Sequence, residues 1–182
     1  MAGDQMVSRR GLGVNILSQR CRTLNYAVTT PSSAAMPLEP DIPGVTHEFG
    51  ECLLLLIGVE CGDSTFARAA AKAIRRIARK TDTTWIVING FSHLTRPGHE
   101  CDTTTARTVL ARIAEHLRDH DFAVHMMPFG WNKTWRMEVR DGEWEQRMTR
   151  LPPIHADRND RARLEGVRAE RSSSEPRALT SP

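Results

Sequence analysis

Lysine is scarce in this chain of 182 residues: Lys72, Lys80 and Lys133 stand against twenty-two arginines. That bias is a property of composition, but it lets each lysine be questioned by itself. Long apolar runs are missing too. Nothing approaches the ~18–20 consecutive apolar residues of a membrane span, and Met1–Arg10 lacks the apolar core of a signal peptide. A cytoplasmic protein with no membrane partner is the expectation. The four cysteines, Cys21, Cys52, Cys61 and Cys101, show no C-x-x-C spacing, and a chain of this size does not need disulfides to hold a core. They are read as reduced thiols. A net charge of +3 gives no overall nucleic-acid signature. Gly11 and Gly13 form a G-x-G without a third glycine or a preceding strand, which excludes a dinucleotide fingerprint. There is no G-x-S-x-G elbow for a serine nucleophile.

What is present fits one domain with polar ends. Residues 1–12 have few apolar side chains and are expected to be a disordered leader. Residues 152–182 mix Arg, Asp, Glu and Ser, a composition that cannot form a core, and are expected to be a disordered tail. Between them, residues 13–151 carry the periodic pattern. Gly13–Ser18 and Leu24–Val28 are expected to be two short strands of a hairpin. Pro31, Pro37, Pro40 and Pro43 mark a long irregular connection. Leu53–Ile57 is an uninterrupted apolar run, the pattern of a central strand buried on both faces. Asp63 or Ser64 suits a helix N-cap, and Phe66, Ala69, Ala70, Ala73, Ile74 and Ile77 then fall on one helical face.

Trp85–Phe91 is a second buried strand. Thr103–Asp119 follows as a helix, with Ala106, Val109, Leu110, Ile113 and Leu117 inward, and Phe122–Met127 as another strand. Thr134–Arg140 alternates, placing Trp135, Met137 and Val139 on one side. Counting back by two puts Lys133 on that same side. Glu143–Arg150 is expected to be a short helix stopped before Pro152. The whole is an α/β or α+β pattern: a mixed β-sheet covered by two main helices.

Several groupings could carry chemistry. Arg68, Lys72, Arg75 and Arg79 fall on one helical face, which suits either RNA phosphates or plain solvation. His116 and His120 are spaced i, i+4, but no adjacent glutamate or third ligand accompanies them, so a metal site is not expected. Two compact elements remain, Gly90-Phe91-Ser92-His93-Leu94 and Pro128-Phe129-Gly130-Trp131-Asn132-Lys133. Each lies where a buried strand runs out, a place where a rigid scaffold presents loop backbone to a ligand. Taken alone, His93 is as well explained as a structural residue and Lys133 as a solvated charge.

These two elements, in this order and spacing, resemble the editing domain of archaeal-type threonyl-tRNA synthetases, whose fold is that of D-aminoacyl-tRNA deacylases. Glu51–Glu60 is similar to the central strand of that family, and the likeness covers roughly Val14–Leu151. The resemblance implies a D-aminoacyl-tRNA deacylase-like sheet and hydrolysis of the ester joining a wrong amino acid, chiefly serine, to threonine tRNA. It implies catalytic roles for Lys133 and His93, with Phe91, Ala106, Phe129, Gly130 and Asn132 around the substrate. It implies no metal or other cofactor, and activation of water assisted by the neighbouring ribose hydroxyl. The tyrosine common before the motif lysine is replaced by Asn132. The family's acidic residue after the next strand falls at Gln146 or Arg147, beside Glu145. No aminoacylation or anticodon-binding domain is recognisable. The expectation is a freestanding trans-editing deacylase that acts on tRNA, forms a homodimer and cooperates with threonyl-tRNA synthetase. The alternatives are a degenerate module that binds aminoacyl-tRNA or a synthetase, and a deacylase for a D-aminoacyl or non-standard ester.

Overall fold

The computed structural model describes residues 13–60 and 66–151. The expected leader, the tail, Cys61 and the helix cap at Asp63 or Ser64 lie outside the described residues. In chain order the elements are β1 (Val14–Pro31), β2 (Thr46–Phe49), β3 (Cys52–Val59), α1 (Phe66–Lys80), β4 (Trp85–Gly90), α2 (Thr103–Arg118), β5 (Ala123–Met126), β6 (Trp131–Val139) and β7 (Gln146–Leu151). A 3-10 turn at Ser92–Leu94 follows β4.

The sheet is built around β1, which runs for 18 residues. Along one edge it pairs antiparallel with β3 and then β2. Along the other it pairs antiparallel with β7 and then β6. Strands β3, β4 and β5 are parallel neighbours, with Leu53 opposite Ile86 and Trp85 opposite Ala123.

The register between β1 and β2–β3 does not slip, since Cys21 faces Cys52 and Leu24 faces Phe49. The buried side nevertheless changes. Val14 and Ile16 of β1 join the core containing Leu53, Leu55, Ile57 and both helices, whereas Leu24, Tyr26 and Val28 join a second core with Leu54, Val87 and Met127. Even-numbered residues of β1 thus serve two cores. The switch falls at Arg22–Thr23 on β1, both exposed, opposite Gly50–Glu51 between β2 and β3. A register shift against β6 sits at the same place, between Cys21 and Thr23. Such corners let one strand pass between two packed layers.

Here the structure corrects two expectations. The hairpin of Gly13–Ser18 and Leu24–Val28 is one bent strand, because Gln19–Thr23 continues to pair with its neighbours. Glu143–Arg150 is no helix. Gln146–Leu151 is a strand pairing with the first part of β1, from Val14 opposite Leu151 to Gln19 opposite Gln146. An open strand edge outweighs the modest helical preference of a polar segment. Met137 also differs, being 42% exposed although Trp135 and Val139 pack inward.

Helix α2 behaves as its pattern predicts, whereas on α1 Ala69 and Ala73, expected inward, are only partly buried and Ala67, Ala71 and Ala78 are buried instead. Helix α1 buries Phe66, Ala70, Ile74 and Ile77, and α2 buries Ala106, Val109, Leu110, Ile113 and Leu117. Each large aliphatic side chain so buried contributes about 1.5–3 kcal/mol. Asp102 caps α2 by accepting from the Thr105 N–H at 2.9 Å. Cys21 and Cys52 are free, buried thiols. No helix of the described residues is long and apolar enough to cross a membrane.

The second core holds a polar knot. Tyr26 is fully buried, and its hydroxyl lies 2.6 Å from His125 Nε2 on β5. Its ring stacks on His47 of β2 at 4.7 Å between centroids. Burial pushes the Tyr26 hydroxyl up to about 12, so the phenol keeps its proton beside the imidazole. Burial, and then the nearby His47, holds His125 below its ordinary 6.5. The unfolded chain therefore takes up more protons than the folded one as pH falls below about 6.5, and stability must fall in that window. Urea denaturation between pH 7.5 and 5 should show this loss, and His125→Gln should flatten the profile. An unchanged slope in that variant would assign the effect to another group.

Candidate active site

Strand β4 delivers its C-terminal end beside the turn after β5. Gly90 ends β4, and a Cβ there would lie 2.7 Å from the Phe129 ring. Glycine at this position lets Phe129 close over the strand end. The next turn is held from below by a carboxylate. Glu60, 4% exposed, accepts from Asn15 Nδ2 at 3.1 Å and from the Arg96 backbone N–H at 3.0 Å. Its other oxygen accepts from Arg96 Nη2 at 2.7 Å. Asn15 Nδ2 also donates to the Leu94 carbonyl at 2.9 Å. A buried carboxylate is tolerated only when paired in this manner. Although burial opposes it, the bonds to Arg96 and Asn15 hold the Glu60 carboxyl below its usual range. The 3-10 turn is thus fixed at Leu94, and His93 projects from it exposed, its ring edge-on to Phe91 at 5.2 Å.

The second element is strapped by the proline-rich connection. Gly130 has φ +75°, and a Cβ there would meet the Ala34 carbonyl oxygen at 2.3 Å. The Ser32 N–H and hydroxyl both donate to the Gly130 carbonyl, at 2.9 and 2.6 Å. The Met36 N–H donates to the Phe129 carbonyl at 3.1 Å, and Trp131 Nε1–H to the Met36 carbonyl at 2.8 Å. The segment from Ser32 to Leu38 is therefore a wall of the site. Sequence reasoning missed it, since its bonds come mostly from backbone atoms.

Two hollows meet here. The smaller, about 180 Å³, is lined by Phe91, Ala106, Phe129 and Gly130, together with Ser32, Ser92, Thr95 and Cys101. The larger, about 580 Å³, is mostly apolar, with Met36, Leu38, Met126, Met127 and Phe129 on its walls and Arg107 and Thr108 from α2. Gly90, Leu110 and Phe129 belong to both. Such concave, largely apolar sites with a few polar groups are where small ligands bind.

Four residues expected around substrate, Phe91, Ala106, Phe129 and Gly130, therefore share one hollow. Asn132 does not join them; it is exposed, and its Nδ2 donates to Thr30 Oγ1 at 2.9 Å. Neither His93 nor Lys133 is on the wall of either hollow. Lys133 sits on β6 opposite Val28, half-buried, with Nζ donating to the Trp131 carbonyl at 2.7 Å. Burial pulls its ammonium down to about 8. Glu145, beside the position expected for an acid, lies 3.5 Å from Arg20. Among the described residues, no three of His, Cys, Asp and Glu gather where they could hold a metal ion. Arg68, Lys72 and Arg79 are exposed and Arg75 is partly buried, all on α1.

Residues 14–143 match the archaea-specific editing domain of threonyl-tRNA synthetase. The chain belongs to this family. A solved structure described as a probable eukaryotic D-amino acid tRNA deacylase has the same fold, with a TM-score of 0.53 at 10% identity. The match covers 76% of this chain and 100% of the deacylase chain. No curated protein matches the chain at a significant level. Membership of the family supports aminoacyl-tRNA deacylation as the class of activity and tRNA as the kind of substrate.

The position of Lys133 has a cost that can be measured. Between about pH 8 and 10.5 the unfolded chain keeps a proton on this lysine that the folded chain has released, so stability rises with pH across that interval. Below it the buried ammonium is a constant penalty. Lys133→Met should raise the melting temperature at pH 7 and remove the rise between pH 8 and 10.5, read by thermal denaturation. An unchanged or lower melting temperature would mean that the ammonium is not desolvated.

Proposed function

We propose that this editing-family protein hydrolyses mischarged threonine tRNA in trans, with seryl-tRNA as its main substrate. The observation that carries the reading is the convergence of Phe91, Ala106, Phe129 and Gly130 on a hollow of about 180 Å³. It shares a wall with an apolar hollow of about 580 Å³. The first suits a small aminoacyl group, the second the terminal nucleoside. Water adds to the ester carbonyl carbon, the bond to the ribose oxygen breaks, and that oxygen takes the proton. Free amino acid and tRNA with an intact terminal hydroxyl leave.

In this reading Lys133 supplies positive charge to the oxyanion as it develops. Among the described residues its ammonium is bound only to a backbone carbonyl, a partner it can exchange for substrate, and its low-dielectric surroundings strengthen its field. His93, exposed on a fixed turn, orients the ribose hydroxyl or water. The chemistry calls for no metal. The second reading, a binding module without hydrolysis, is favoured by one observation: Glu145 faces Arg20 rather than the hollows, leaving the family's acid unreplaced.

Single-turnover deacylation of seryl-tRNA separates the two. Lys133→Met should slow the chemical step by roughly two to three orders of magnitude, the effect of losing one positioned electrostatic donor, with tRNA affinity nearly intact. His93→Ala should slow it less, because the ribose hydroxyl still assists. A Lys133→Met rate equal to wild type would refute the mechanism, and a wild type inert on a panel of charged tRNAs would favour the binding module.

A homodimer and association with threonyl-tRNA synthetase complete the proposal. Met137 and Met148 on β6 and β7 are each more than 40% exposed, apolar surface of the kind that pairing covers. Light scattering at micromolar concentration should give twice the chain mass; a monomer would refute pairing.

A further inference from the structure

Charge is segregated between the two layers of this protein. Helix α1 carries Arg68, Lys72, Arg75, Arg76, Arg79 and Lys80 and no acid; α2 carries Arg107, Arg112 and Arg118 against Glu115. Nine cations against one carboxylate give the helices +8, whereas the whole chain is +3. The remaining residues therefore sum to −5.

The two layers also differ in how they treat arginine. On the sheet, Arg20 and Arg140 meet Glu51, and Arg22 meets Glu138 at 3.1 Å. Among the described residues, none of the six cations of α1 is within ion-pair distance of a carboxylate. Lys80 instead lies over the Trp144 ring. Arg68, Lys72 and Arg75 line a hollow of about 820 Å³, shared with His116, Asp119 and His120 from the end of α2. The Nε of Arg75 is buried there without a hydrogen-bond partner, a donor whose desolvation cost calls for an acceptor. The single carboxylate on that wall, Asp119, stands 4.0 Å from His116.

We infer that this helical face binds the phosphate backbone of the RNA whose 3′ end enters the active site, with Arg68, Lys72 and Arg75 each meeting a phosphate. The inference takes the RNA from the deacylase reading. Continuity with the site comes from α2. Its Arg107 and Thr108 line the larger active-site hollow, and its far end, about 12–18 Å away at 1.5 Å per residue, borders the basic one. An RNA held at its terminus thus meets unpaired cations rather than the net acidic remainder.

The test uses the full chain and uncharged threonine tRNA, so that binding is measured without chemistry, across 50–300 mM salt. Replacing Arg68, Lys72 and Arg75 together with Gln should weaken binding at least tenfold. It should also lower the slope of log affinity against log salt by about two to three, one for each phosphate no longer neutralised. Arg68→Gln/Lys72→Gln, which leaves the partly buried Arg75 in place, should show a proportionate share and guards against misfolding of the triple variant. A seryl ester of a short CCA-ended oligonucleotide, too small to reach α1, should be hydrolysed equally by wild type and variants. Unchanged affinity and slope in both variants would overturn the inference. Should wild type bind tRNA with the full slope but hydrolyse neither substrate, the deacylase reading fails while this surface stands.

Discussion

Everything in this fold depends on one strand keeping both edges occupied while it turns a corner. β1 holds β3 and β2 on one side and β7 and β6 on the other. Its backbone donors and acceptors are thus spoken for over almost its whole length, which fixes register. The corner at Arg22–Thr23, matched by Gly50–Glu51, carries the second half of β1 across the face of β3–β5 that the helices leave open. Tyr26 of β1 reaches His125 of β5 only because of that turn. The site follows from the same geometry. The chain leaving β1 at Pro31 arrives beside the turn after β5, where Ser32–Met36 can bind Phe129 and Gly130.

The parts legible in the sequence are those whose signal is local. The five-residue run Leu53–Ile57 announces a central strand because both of its faces are covered. The stripes of α1 and α2 announce one buried side each. The first motif turn follows β4, which is buried as expected, whereas the second follows β5, a half-buried edge strand rather than the buried one its apolar pattern suggests. What was not legible depends on partners distant in sequence. Gln19–Thr23 has no hairpin chemistry and no strong strand pattern; it is extended because β3, β6 and β7 flank it. Gln146–Leu151 is polar enough to resemble a helix and becomes a strand by completing an edge. The strap over Gly130 left only prolines as a trace, since no side-chain pattern encodes a backbone carbonyl that accepts.

Charge is handled in three ways, and each corresponds to a place in the molecule. The buried Glu60 is surrounded by donors from Asn15 and Arg96, so its cost is offset and its bonds fix a loop. Arg20, Arg22 and Arg140 on the sheet face carboxylates at a surface where each pair contributes about 0–1 kcal/mol. Among the described residues, the arginines of α1 have no such partners. Mutual repulsion along one helix costs a few tenths of a kcal/mol per like pair at i, i+4, a small sum that any polyanion repays through released counterions.

Lys133 belongs to none of these groups, and this distinguishes it. A half-buried ammonium bonded to a backbone carbonyl of its own strand gains little Coulomb energy in return for lost hydration. A carboxylate partner would have offset that loss, and would also have raised its pKa and occupied its field. Among the described residues no carboxylate forms an ion pair with Lys133. The same arrangement that costs stability leaves the charge available to an anion. Under the proposed mechanism, an oxyanion forming from a neutral ester would be favoured there more than the ester itself, because the interaction grows only as negative charge develops. In the proposed role, the burial that pulls Lys133 down is also what would strengthen its interaction with a developing anion.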